Sequence, residues 1–413
     1  METLFYHRNT CRLCESPQVE LVVKMIPCPP VDAYIPFTQI SETQPSFPMD
    51  LYLCHECGHA QLLDVVSPKI LFGSYIYTTA SSPGLVDYFR DYAASVCGQL
   101  QFASGALAVD IGSNDGTLLS FIHQHGFRVL GVDPAKQIAA EATAKGINTL
   151  PSFFTRVLAE NIRMEYGPVN LVTANNVFAH SDMLGDMADG IRILLAPDGV
   201  FVFEVSYLLD VIDNMLFDVI YHEHLSYHSV KPLQRFLKQH GLHLFRIERT
   251  PSKGGTLRCF AQLSDGPRAE DMSVKMLLHL EEERGLYQRA TYQRFFDRIK
   301  HVKGQVQAAL SALSFEGKTC AGYGASATAT VLTYQFEIGN SLRTIIDDNP
   351  IRQNRYSPGF HIPVVSSQAL LENPPDCVVI LVWRFAEMII QRNSAYQKRG
   401  GQFIIPLPEM RIV

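Results

Sequence analysis

The sequence predicts an α/β chain in which a small metal-binding lobe precedes two open, mostly parallel α/β domains. Three observations carry this. Two Cys-x-x-Cys pairs, Cys11/Cys14 and Cys54/Cys57, lie near the start of the chain. A buried-strand pattern runs into a glycine turn and a helix twice, once after Asp110 and again around Gly322. Each unit is followed by a second strand ending in acids, Asp133 in the first and Asp347-Asp348 in the second. A chain of 413 residues is also longer than one core usually serves, so domains are expected at residues 1–75, 76–270 and 271–413.

In the lobe, Cys11-Arg12-Leu13-Cys14 and Cys54-His55-Glu56-Cys57-Gly58 supply four thiolates, the number a closed tetrahedral zinc site takes. A two-residue gap lets both sulfurs of a pair face one ion from a single tight turn, and Gly58 suits the end of the second turn. A site with four protein ligands has no open position, so Zn2+ is expected to be structural and to fold a lobe too small for a generous core. Redox dithiols or free core cysteines are the alternative. The other five cysteines (Cys28, Cys97, Cys259, Cys320 and Cys377) are scattered and read as filler.

In the next block, residues 106–111 read as a buried strand, 112–116 as a glycine loop and 117–125 as a helix. A strand entering a glycine turn and a helix N-terminus is a nucleotide-cofactor device. The spacing is GxxxG after an acid, so the pyrophosphate-binding GxGxxG pattern is absent. Residues 128–133 form a second strand, whose terminal Asp133 could take both hydroxyls of a ribose or cap the helix beginning at Pro134. Residues 170–176 and 199–205 read as the fourth and fifth strands. The run Asp110-Ile111-Gly112-Ser113-Asn114-Asp115-Gly116 resembles motif I of the class I S-adenosylmethionine methyltransferases. That resemblance implies a Rossmann-like fold with S-adenosylmethionine as cofactor. Asp110, Gly112, Ser113, Asn114 and Gly116 would lie around the methionine part, Asp133 on the ribose, and Asn175 and Asn176 where the fourth strand enters the site.

The third block opens after a charged helical stretch at 273–314. Residues 317–326 repeat the strand-glycine-helix pattern, 345–350 form a strand ending in acids, and 378–383 a later buried strand. Gly322-x-Gly324 has Ala327 where GxGxxG needs its third glycine, which disfavours a dinucleotide site.

Composition narrows the function. Net charge is −6, with no basic run of five, which argues against a nucleic-acid surface. Residues 1–12 lack an apolar signal core, and no stretch approaches the roughly 18 apolar residues of a membrane span. A cytoplasmic monomer is the expectation.

The densest chemistry lies in Tyr221-His222-Glu223-His224-Leu225-Ser226-Tyr227-His228, with three histidines, a carboxylate and two phenols in eight residues. Imidazole titrates nearest neutrality, so the cluster suits proton abstraction and return. An extended segment would point His222 and His224 to one face and Glu223 to the other. The zinc-protease HExxH spacing is not met, and a metal site or polar strand edge is the alternative. His222 and His228 are read as structural.

Taken together the chain resembles the nucleotide-sugar C-methyltransferases, which act on dTDP- or GDP-activated 4-keto sugars. The resemblance spans nearly the whole sequence. It rests on Tyr221-His222-Glu223-His224, Asn176-Val177-Phe178-Ala179-His180, Lys253-Gly254-Gly255-Thr256-Leu257-Arg258, Gly322-Tyr323-Gly324-Ala325, Asn349-Pro350, Tyr356-Ser357-Pro358-Gly359, His361-Ile362-Pro363, and Tyr75-Ile76-Tyr77 followed by Ser81. The chain departs at Thr328, where members often carry lysine, and at Arg384, where they often carry asparagine; both concern the substrate more than the reaction.

The resemblance implies C-methylation at C3 of a 4-keto-6-deoxy sugar through an enolate, with a small-molecule nucleotide-sugar as partner and the C-terminal domain helping to hold it. His224 would be the base, Glu223 would contact the sugar or orient its neighbour, and Tyr221 and His180 would donate to the enolate oxygen or shuttle protons. Tyr75 or Tyr77 would close the pocket. Gly254, Gly255 and Arg258 would lie near the sugar or phosphates, or the glycines would only turn the chain. Rival readings are a zinc-ribbon RNA or protein methyltransferase, a sugar or small-molecule O- or N-methyltransferase, and a non-catalytic protein that retains cofactor binding.

Overall fold

The computed structural model describes residues 4–72, 78–81 and 83–413. Its centre is a seven-stranded sheet whose strands are, in chain order, β1 (Leu107–Ile111), β2 (Arg128–Val132), β3 (Thr149–Leu150), β4 (Val169–Asn175), β5 (Leu195–Ser206), β6 (Leu242–Thr250) and β7 (Thr256–Leu263). Their spatial order is β3-β2-β1-β4-β5-β7-β6, and β7 alone runs against the rest. Side chains alternate between two cores: Leu107, Val109 and Ile111 of β1 face one, and Ala108 the other. The second core is closed by the helices Pro83–Leu100 and Thr117–Gln124, through Tyr92, Leu118, Leu119 and Ile122. This is the class I S-adenosylmethionine methyltransferase architecture. The strand order reverses between β1 and β4, so the crevice for a ligand opens at their carboxyl ends.

The expected 273–314 helix is two helices, Met272–Glu283 and Arg289–Phe315. Gly285 sits between them at φ +61, and the buried Glu281 carboxylate accepts from Val230 N at 2.7 Å, capping the helix Val230–Gln239. That cap draws the first helix onto β6, away from the axis of the second.

The lobe's sheet takes one strand from the middle of the chain. Val19–Val23, Leu51–Cys54 and Ala60–Leu62 form an antiparallel sheet whose fourth member is Ser226–Tyr227, paired Ser226 to Gln61 and Tyr227 to Ala60. Arg12, between the first two cysteines, reinforces this junction. Its side chain is fully buried and donates to Asp182 (2.9 Å), Leu62 O (3.0 Å) and Leu225 O (2.9 Å). On its other side the lobe reaches the C-terminal sheet, whose order is Val364–Val365, Ile345–Ile346, Cys320–Tyr323, Cys377–Ile380, Gln402–Ile405, Arg411–Ile412, parallel except for the last. Ile35–Pro36 pairs with Arg355–Tyr356, and Gln335 bonds both the N–H and the carbonyl of Ile26 at 2.8 Å. Among the described residues no helix is long and apolar enough to cross a membrane.

Removing a buried charge that bonds two carbonyls and a carboxylate costs about 3 kcal/mol or more. Arg12→Met is therefore expected to lower the unfolding free energy, read by urea titration, by that amount, whereas a similar change at the exposed Arg90 should leave it within about 0.5 kcal/mol.

Candidate active site

The four cysteines Cys11, Cys14, Cys54 and Cys57 bring their Sγ atoms within 4.8 Å of one another. Cys11–Cys57 and Cys14–Cys54 are each 3.6 Å apart. The edge of a tetrahedron of thiolates about 2.3 Å from zinc is roughly 3.8 Å, so this set fits the ion. Gly58, at φ +84, closes the second knuckle by donating its N–H to Cys54 O at 2.9 Å.

At the sheet's carboxyl edge, β1 delivers the glycine loop. Gly112 has φ +73, and a Cβ there would lie 2.3 Å from Val177 Cγ2, so a side chain is excluded on two grounds. Asn114, at φ +50, donates its N–H to Asp133 Oδ2 at 2.9 Å, and its Oδ1 accepts from Thr79 N at 2.8 Å. Gly116, at φ +76, starts the helix Thr117–Gln124. Asp133 also accepts from Ala135 N at 2.8 Å, while each oxygen keeps a further lone pair for a hydroxyl. Ala135, not Asp133, is the N-cap of the helix Lys136–Ala144, so the helix-cap reading of Asp133 does not hold. Asp110 is buried and pushed up to about 7 by that burial, despite accepting from Thr173 Oγ1 at 2.6 Å. Among the described residues, buried Ser113 Oγ and both polar atoms of Asn175 lack hydrogen-bond partners. Unmet polar atoms around a glycine cradle fit a polar cofactor such as S-adenosylmethionine. Asn176, at φ +57, turns the chain out of β4 and donates its N–H to Glu204 O at 2.9 Å.

That turn carries His180 to the second cluster. His180 and His224 have ring centroids 5.0 Å apart, and Tyr221 lies 4.1 Å from His224 on the same measure. The 221–224 segment is a turn, closed by His224 N donating to Tyr221 O at 2.8 Å, so the alternation of an extended segment does not apply. His222 is instead buried, with Nε2 3.0 Å from Phe47 O, and His228 is buried inside the lobe junction. His224 Nδ1 is 2.7 Å from Val219 O. A carbonyl only accepts, so Nδ1 carries the proton and Nε2 keeps its lone pair. Burial pulls His224 down to about 4, against the Val219 bond and helped by the positive charge of Lys253. Burial also holds His180 well below its usual value, with His224 and Lys253 adding. Glu223 is pushed up to about 7 by burial and by Asp32 of the lobe, which Arg352 holds at 2.6 Å.

Lys253 was not a sequence candidate by itself. It occupies a left-handed conformation (φ +52) at the β6–β7 hairpin tip and is solvent-accessible yet ringed by protein, as a side chain in a cleft is. Gly254 and Gly255 fix the tip: Cβ atoms there would meet Leu216 at 2.8 Å and Asp210 at 2.4 Å. The glycines therefore do turn the chain between strands. Arg258 is not available to phosphates, because Glu204 takes it at 2.7 Å in the buried sheet. Tyr75 and Tyr77 lie outside the described residues.

Family profiles match in three stretches, a zinc binding domain over residues 11–72, a methyltransferase domain over 88–246 and a C-methyltransferase C-terminal domain over 251–408. The chain is 32% identical over 368 residues to the C-methyltransferase NovU of Streptomyces niveus, covering 89% of this chain and 88% of that one. The chain belongs to the C-methyltransferase family. Solved structures similar to part of the C-methyltransferase include magnesium protoporphyrin IX methyltransferase (ChlM) of Synechocystis PCC 6803 with bound S-adenosylmethionine. That match has 16% identity and a TM-score of 0.33, covering 47% of this chain and 88% of that one. Another is an S-adenosylmethionine-dependent methyltransferase of Clostridium acetobutylicum ATCC 824, with 12% identity and a TM-score of 0.35, covering 48% and 96%. The C-methyltransferase is S-adenosylmethionine-dependent, and its N-terminal lobe is a zinc domain.

Left-handed backbone alone costs an alanine about 1–2 kcal/mol, before the clash with Val177. Gly112→Ala is expected to raise the dissociation constant for S-adenosylmethionine at least about tenfold by calorimetry, with zinc content unchanged.

Proposed function

We propose that this C-methyltransferase methylates C3 of a nucleotide-activated 4-keto-6-deoxy sugar, with His224 as the base that forms the enolate. The observation that carries the reading is the 2.7 Å bond from His224 Nδ1 to Val219 O, which leaves a neutral imidazole with Nε2 free beside His180 and Tyr221. A carbon acid becomes a usable nucleophile only when an adjacent carbonyl can take the charge, and a 4-keto group provides this at C3. Bound S-adenosylmethionine supplies a methyl group on positively charged sulfur, and the glycine loop with Asp133, Asn175 and Asn176 is suited to hold it.

His224 Nε2 takes the C3 proton while the C–H electron pair moves onto the C4 oxygen. Tyr221, His180 and the Lys253 ammonium are the groups suited to that oxygen, two as hydrogen-bond donors and one as a nearby cation. The methyl group that S-adenosylmethionine would supply would be taken up at C3, with S-adenosylhomocysteine as the leaving group, and His224 would lose its proton to solvent. Glu223, protonated to a large extent near neutrality, suits a hydroxyl of the sugar. The C-terminal sheet supports a role in holding the nucleotide. Gly324 has φ +102 at the tip of the strand Cys320–Tyr323, and Asp347 accepts from Ala325 N at 2.5 Å beside it.

With dTDP- and GDP-4-keto-6-deoxy sugars in deuterated buffer and no S-adenosylmethionine, the wild type is expected to exchange the C3 proton, read by mass spectrometry. His224→Gln should slow exchange by about 10²–10⁴-fold. Methylation on oxygen without exchange on any sugar would overturn the assignment. For the pH profile, burial disfavours the imidazolium, so the base stays active below the ordinary 6.5. The acid limb of kcat/KM is expected toward pH 4; a limb at 6.5 would count against His224.

A further inference from the structure

The carbonyl that orients His224 is itself held from outside the methyltransferase sheet. Val219 closes the one-turn 3-10 helix Phe217–Val219, which is too short to be stable alone. Ile220 N donates to Phe217 O at 3.0 Å. That N–H shares one planar peptide unit with Val219 C=O, so fixing the turn also fixes the direction in which Val219 O points. The turn is gripped by the C-terminal unit. The fully buried Asp218 carboxylate accepts from Trp383 Nε1 at 2.9 Å and from Arg384 Nη1 at 3.0 and 3.2 Å. The Phe217 ring stacks on Phe336 with centroids 5.3 Å apart. Asp218 bonds the C-terminal unit and plays no part in proton or methyl transfer. A buried carboxylate needs such partners, because losing one leaves a charge that is relieved either by protonation or by movement of the turn, and both change what holds the turn in place.

We infer that Asp218, clamped by Trp383 and Arg384, is a positioning residue through which the C-terminal unit sets the Val219 carbonyl and hence the tautomer and aim of His224. The inference rests on the reading of His224 as the base. It also gives a role to Arg384, one of the two positions at which the chain departs from the pattern of the sugar C-methyltransferases.

The test uses the full-length, zinc-loaded protein with ¹⁵N-labelled histidine. His224 is identified by the signals missing in His224→Gln, and its tautomer is read from the ring nitrogen couplings in wild type, Asp218→Asn and Arg384→Met. The wild type should be protonated at Nδ1 alone. Both variants should show a clear Nε2-protonated fraction. C3 exchange should fall by about tenfold to a hundredfold, with KM for the sugar changing less than about threefold. A single Nδ1-protonated form retained in both variants would overturn the inference, even if their melting temperatures fall. Should Asp218→Asn fail to fold, Arg384→Met, which keeps Asp218 and its Trp383 bond, gives the same reading by itself. A tautomer change in a protein whose wild type exchanges no sugar would sustain the positioning role while removing the base role, so the two failures are distinguishable.

Discussion

The arrangement depends on one strand pairing. Ser226–Tyr227, directly after His224, completes the sheet of the zinc lobe rather than that of the methyltransferase. This segment is the edge strand of the lobe's sheet, and among the described residues it has no other strand partner. Zinc folds the first knuckle, the knuckle places Arg12, and Arg12 bonds Leu225 O on one side and Asp182 on the other. Both histidine-bearing turns are thereby tied to one rigid point, which explains how a closed metal site with no chemistry of its own bears on the cleft.

The electrostatics of the cleft follow from burial. Imidazoles surrounded by protein lose the solvation that favours their charged form, so His180 and His224 are held neutral, the state a base requires. The same desolvation keeps Glu223 partly protonated. Lys253 is the cation in this neighbourhood that makes no ion pair among the described residues, since Arg258 is committed to Glu204 and Arg384 to Asp218. An anionic oxygen generated in the cleft would meet the positive charge of Lys253, which solvent also reaches.

All three blocks of the chain converge on Val219 and His224. The lobe supplies the neighbouring strand, the central sheet supplies β4 and the His180 turn, and the C-terminal unit supplies Trp383 and Arg384. Covalent proximity explains little of this, because Asp218 and Arg384 are 166 residues apart in sequence.

Several parts of this were legible in the sequence because local rules govern them. Cys-x-x-Cys spacing suits one ion, a glycine between a buried strand and a helix marks a cofactor loop, and Tyr221-His222-Glu223-His224 is too rich in titratable groups to be packing alone. Other features were not legible. The 221–224 turn, the burial of His222 and the break at Gly285 depend on contacts with Phe47, Val219 and Val230. Lys253 stood in a noticed motif, but its glycines drew attention as a turn rather than as the device that aims a lysine. The sequence by itself determined which chemical groups were present and which elements would carry them, since those follow from periodicity and spacing along the chain. Only the tertiary structure decided which nitrogen of His224 is free, which arginine is spent on a buried carboxylate and which cation is left for the cleft. Those outcomes depend on desolvation and hydrogen-bond partners brought together from distant parts of the chain.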